Sequence, residues 1–157
     1  FSLRTGETVS GEQAEANPES WDDGFRGTEI IVNSGASGAG EAGAVVLDIP
    51  FEQVDMAPST GYESDTEDAY AISGWYTYTG ESNPPRAILA KEDVTVVLRT
   101  ADGRHYSKLH ILSYYKNNPD YDSEEFANLG TRVQLFPAQY YSFRFATQMT
   151  EGLRELN

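Results

Sequence analysis

The sequence predicts an all-β domain, an antiparallel two-sheet, sandwich-like arrangement with one short helix. Three observations carry that expectation. The stretch Asp93 to Tyr114 reads as a β-hairpin: Val94, Val96 and Leu98 alternate with Thr95, Val97 and Arg99, Asp102 and Gly103 supply the turn, and a second run follows from Tyr106 to Tyr114. At least six strand candidates are separated by turn residues, with no long amphipathic helix between them. Composition agrees: ten tyrosines, seven phenylalanines and fourteen glycines in 157 residues. That length suits a single domain spanning 1–157.

Phe1, Leu3 and Val9 sit in a short first segment, and a polar, flexible stretch runs from Ser10 to Ser20. Trp21 to Phe25 lead into Thr28–Asn33, where Ile30, Ile31 and Val32 read as a buried strand. A glycine-rich loop from Gly35 to Gly43 precedes a strand from Ala44 to Ile49, closed by Pro50. That loop has Gly-x-x-Gly spacing, but a strand rather than a helix follows it and it holds no lysine, so it does not read as a phosphate cradle. Phe51 to Val54 suits one helical turn, and Met56 to Asp68 reads as an acidic loop. Tyr70 to Thr79 is read as a strand with Gly74, Tyr76 and Tyr78 on one face and Trp75, Thr77 and Thr79 on the other. Pro84, Pro85 and Arg86 lead to Ile88 and Leu89.

On the return strand of the hairpin, Ser107, Leu109 and Ile111 are expected on the apolar face, with Lys108, His110 and Leu112 on the wet one. A short helix is expected at Ser123–Asn128, capped by Asp122 or Ser123 and ended by Gly130. Tyr140 to Gln148 closes the chain as a strand on which Tyr141, Phe143 and Phe145 share a face.

A net charge of −14 and a pI near 4.3 repel nucleic acid and anionic membranes. The acidic surface is read either as plain self-repelling solubility or as adaptation to salty water. With no cysteine, disulfides, thiolate metal sites and a cysteine nucleophile are excluded. No run of eighteen apolar residues is present, and the chain starts at Phe1, as a processed or truncated one does.

Catalytic patterns are missing. No Gly-x-Ser-x-Gly elbow occurs, and the carboxylate pairs Asp22–Asp23 and Glu124–Glu125 are sequence neighbours that regular structure splays apart. The acidic run from Asp120 to Glu125 lacks the glycine and glutamate of a calcium loop. His105 and His110 fall on opposite faces about 17 Å apart and read as ordinary surface residues. No enzyme is expected. What remains is aromatic: Tyr76 and Tyr78, with Tyr62, Tyr70 and Met56 nearby in sequence, either line a groove for a flat ligand or pack the sheet, and the residues alone favour packing.

Several blocks, in order, resemble the HmuY family of Bacteroidetes haem-binding lipoproteins: Trp21, Asp22 through Asn33, Ser34, Gly35 to Gly43, Ala44, Val45; Gly74, Trp75; Arg99 to Gly103 with Lys108, Leu109; and Tyr141 to Phe145. The resemblance implies an all-β HmuY-type fold and a hemophore anchored at the outer-membrane surface as a lipoprotein or released outside it. It implies haem as ligand and an outer-membrane TonB-dependent receptor as partner in iron acquisition. Family members hold the iron with two axial side chains, one from the region of Met56 to Tyr70 and one shortly after the Gly74, Trp75 pair. Here that second place holds Thr79, Gly80 and Glu81, so the family's axial ligands are not retained. The site is therefore expected to take either haem, bound weakly or atypically with Met56 or Tyr78 as a single metal ligand and Arg86 pairing a propionate, or another flat or small hydrophobic ligand in the same place. The full set of candidate ligand-binding residues is Met56, Tyr62, Tyr70, Tyr76, Tyr78 and Arg86. The alternative is a non-catalytic carbohydrate- or protein-binding β domain, with Trp75 or exposed tyrosines stacking on sugar rings.

Overall fold

A computed structural model describes all residues, 1–157. In chain order the elements are α1 (Gly11–Ala16), β1 (Asp23–Arg26), β2 (Glu29–Val32), β3 (Gly43–Leu47), β4 (Tyr76–Tyr78), β5 (Ile88–Ala90), β6 (Thr95–Arg99), β7 (Tyr106–Tyr115), α2 (Glu124–Ala127), α3 (Leu129–Leu135) and β8 (Ala138–Gln148). The backbone of the fold is a four-stranded antiparallel sheet, β3-β6-β7-β8. The opposing layer is split into two ribbons, β1–β2 and β4–β5. The all-β, sandwich-like expectation is met.

The predicted hairpin forms the centre of the sheet, with Val96 opposite Leu109 and Arg99 opposite Tyr106. Gly103 takes a φ of +70°, which its missing Cβ makes cheap, and Asp102 gathers the turn around its carboxylate. Thr100 Oγ1 donates to it at 2.6 Å, the Arg104 amide at 3.0 Å, and Arg4 pairs with it at 2.8 Å; the His105 ring nitrogen Nδ1 lies 2.9 Å away. Burial pushes this carboxyl up, but the Thr100 and Arg104 bonds and the charges of Arg4 and His105 outweigh it and bring its pKa down to about 2.

Both faces of this sheet are covered, which overturns the expectation of a wet face. Val96, Leu98, Leu109 and Ile111 join Ile30, Val32 and Trp75 in the main core under the ribbons. On the other side the segment Phe51–Ala57 and the C-terminal Leu156 lie over Val97. Lys108 and His110, expected at the surface, are each only 5% exposed. The Lys108 ammonium donates to the carbonyls of Phe51 (3.0 Å) and Val54 (2.9 Å) and stands over the Phe51 ring, while His110 Nδ1 lies 2.8 Å from the Val94 carbonyl. These bonds to backbone oxygens make burial of polar heads tolerable.

Other expectations shift at the edges. The 3-10 turn at Phe51–Gln53 and the helix capped by Ser123 are present, but Gly130 does not end the helical region. Asn128 instead starts α3, accepting the Thr131 amide at 3.0 Å. The stretch Ser10–Ser20, expected to be irregular, contains α1, closed by a Ser10/Gln13 capping box. The strand expected over Tyr70–Thr79 is only three residues long. Its first half is diverted because Asp65, buried, accepts the amides of Ala71 (2.8 Å) and Val32 (2.9 Å), and Gly74 reverses the chain at φ +71°.

Candidate functional site

The diversion of residues 70–75 creates the site. Ile72 bridges to Ile30 on β2, and the Trp75 indole Nε1 donates to the Thr28 carbonyl at 3.2 Å. Together they floor an open hollow of about 650 Å³ between the two ribbons. Tyr70 and Tyr76 stand in its walls, with Thr28, Glu29 and Ser73 at the rim. The lip is tied by Arg26, which pairs with Glu29 at 2.8 Å and donates to the Tyr70 phenolic oxygen at 2.7 Å. Behind the floor, Trp75 packs on Tyr76 (4.7 Å between ring centroids), Tyr141 (5.6 Å) and Tyr114 (6.4 Å). Burial pushes the phenols of Tyr114 and Tyr141 up, so they stay neutral and the floor remains an apolar aromatic surface.

Of the six candidate residues, the structure brings only Tyr70 and Tyr76 into this hollow. Tyr78, two residues along β4 from Tyr76, continues the same strand face into solvent at 58% exposure. Arg86 is exposed beyond the ribbon, paired with Glu81 at 3.3 Å. Met56 and Tyr62 lie at the far end of the sheet: Tyr62 rests on Tyr106, at the opposite end of β7 from Tyr114, and eight residues of strand separate the two by about 26 Å. The reason is that residues 56–63 follow the sheet's other margin, where Glu63 bridges to Ala44 and Met56 to Glu155. A groove lined by Met56 and Tyr76 together is therefore not formed, and Met56 is no metal ligand for a molecule in the hollow.

Trp75 is 2% exposed and cannot stack on a sugar ring, which removes that form of the carbohydrate alternative. Sequence reading missed Arg26, Thr28, Glu29 and Ile72. They reach the site through the β1–β2 turn and one isolated bridge, neither of which leaves a periodic signal.

Thr79 Oγ1 is consumed locally, donating to the Pro84 carbonyl (2.6 Å) and accepting the Ala87 amide (2.8 Å); Gly80 has no side chain and Glu81 is paired with Arg86. No cluster of three or more His, Asp or Glu side chains is placed to hold a metal ion. On the walls of the hollow the phenols of Tyr70 and Tyr76 are the groups of a type known to hold haem iron, and that of Tyr70 is turned to Arg26. The hollow thus fits a flat ring held by its faces and does not fit an iron held between two axial nitrogen or sulfur donors.

The fold and hollow define an all-β scaffold with an aromatic recess between two short ribbons. The chain belongs to the HmuY protein family, which matches residues 1–125. A search of curated proteins found no match.

Proposed function

We propose that this protein is a non-catalytic binding protein of the HmuY type, working at the bacterial surface or outside the cell. Its ligand is a flat, largely apolar ring of the haem class, held weakly by contact with the Tyr70 and Tyr76 rings, above the buried indole, rather than by two axial ligands. Family membership supports the class of ligand. The observation that carries the placement is the open aromatic hollow of about 650 Å³, in the size range of small-molecule sites. An outer-membrane receptor of the TonB-dependent type is the proposed recipient. No helix is long and apolar enough to cross a membrane.

The non-catalytic reading rests on geometry at the one acid–base pair that resembles hydrolase machinery. Asp102 and His105 are 2.9 Å apart, but the neighbouring hydroxyl, Thr100 Oγ1, donates to Asp102 and not to the far nitrogen of His105. A nucleophile would have to lie on the imidazole's other side. The constellation closes a turn.

Titration with hemin tests the proposal. A saturable change in the Soret band supports it, and an unchanged free-hemin spectrum at micromolar protein rejects it.

A further inference from the structure

A second hollow, of about 290 Å³, opens where α3 leans on β5, β7 and β8, and it lies outside the site assigned to the flat ring. Its lining is mostly apolar, and much of it comes from residues 129–138, beyond the stretch that matches the family. Leu129 and Val133, one helical turn apart, stand at its rim 40% and 64% exposed.

Set into this wall is Arg132, 2% exposed. Its guanidinium donates to the carbonyls of Phe126 (3.2 Å), Pro85 and Arg86 (3.4 Å), and stands over the Phe126 ring at 4.9 Å. It forms no ion pair, and its Nε makes no hydrogen bond within the chain. In a protein with 25 carboxylates and a net charge of −14, the buried arginine is the one expected to have found a carboxylate. Carbonyl dipoles and ring faces offset part of the desolvation of the charge, and an anion in the hollow would offset the rest.

We propose that this second hollow binds the carboxylate head of a small amphiphile, of the medium-chain fatty-acid class. The head meets the free edge of Arg132 and the tail lies along Leu129 and Val133. This goes beyond the haem reading and stands or falls separately from it.

Calorimetric titration with decanoate and with decanol, which has the same chain and no charge, tests it on the unmodified protein. Decanoate is expected to bind at least about tenfold more tightly than decanol, since the charge-assisted bond is lost in the alcohol. Val133→Glu, a change at an exposed position, is expected to abolish decanoate binding while leaving thermal stability and hemin binding intact. Arg132→Gln, where it folds, is expected to erase the preference for the acid. Equal binding of the two ligands, no binding at millimolar decanoate, or full decanoate binding by Val133→Glu would each overturn the proposal.

Discussion

Arg26 donates to the phenolic oxygen of Tyr70 at 2.7 Å, joining the β1–β2 ribbon to the loop before β4 across the lip of the aromatic hollow. Arg26 is exposed, so the bond adds little to global stability. Its effect is local: it fixes the plane of the Tyr70 ring, the face assigned to the proposed flat ligand.

The ring face and the hydroxyl of Tyr70 can be separated by substitution. Tyr70→Ala removes the stacking surface and is expected to weaken hemin binding about tenfold, whereas Tyr70→Phe keeps the face and should change it by less than about threefold. Spectroscopic titration of the two variants decides it. A phenylalanine variant as weak as the alanine one would show that the oxygen, not the ring, holds the ligand.

Asp22 is a staple for the scaffold. One oxygen accepts the Leu3 amide at 2.7 Å and the other the Ala101 amide at 2.8 Å, with the side chain fully buried. Asp22→Asn turns one acceptor into a donor that faces an amide hydrogen, and is expected to cost about 2–4 kcal/mol. Urea denaturation reads this directly; an unchanged midpoint would contradict the assignment.

Asp23 predicts a pH dependence of the opposite kind from a paired carboxylate. Both its carboxylate oxygens are buried without a hydrogen-bond partner, and burial, reinforced by Asp22 and partly offset by the Phe1 amino group, raises its pKa to about 7 from an ordinary 3.8. The folded state therefore holds a proton that the unfolded chain gives up. The stabilisation is complete below about pH 4 and is lost as pH rises through 7. Melting temperature should fall by a few degrees between pH 5 and pH 8 from this group, on the order of 2 kcal/mol, and Asp23→Asn should flatten that slope. An Asp23→Asn profile parallel to wild type would refute the assignment.

The hairpin, the closing strand and the cap at Ser123 were legible because each leaves a local mark: alternation, Asp-Gly in a turn, a hydroxyl before two glutamates. The coverage of Lys108 and His110 was not legible, because the Phe51–Val54 carbonyls over Lys108 and the Phe51 ring beside His110 come from more than fifty residues earlier. The purpose of the glycine-rich loop showed only in three dimensions. A Cβ at Gly38 would sit 2.1 Å from the Asn33 amide oxygen and 2.9 Å from the Trp21 ring, so the glycine makes room for Asn33 to donate to the carbonyls of Pro18 and Trp21. At the site, the shared region of sequence suggested that Met56, Tyr62 and Tyr76 act together. Proximity in sequence failed there because the Asp65 staple turns the chain from one margin of the sheet to the other ribbon.

The most direct test of the central claim is a hemin titration of the wild-type protein beside Ser73→Glu, which places a carboxylate at an exposed rim position of the hollow without entering the core. A saturable Soret change with one hemin per wild-type chain is expected, with binding at least about tenfold weaker in the variant through like-charge repulsion of the propionates. No change in the wild-type spectrum, or identical curves for the two proteins, would contradict it.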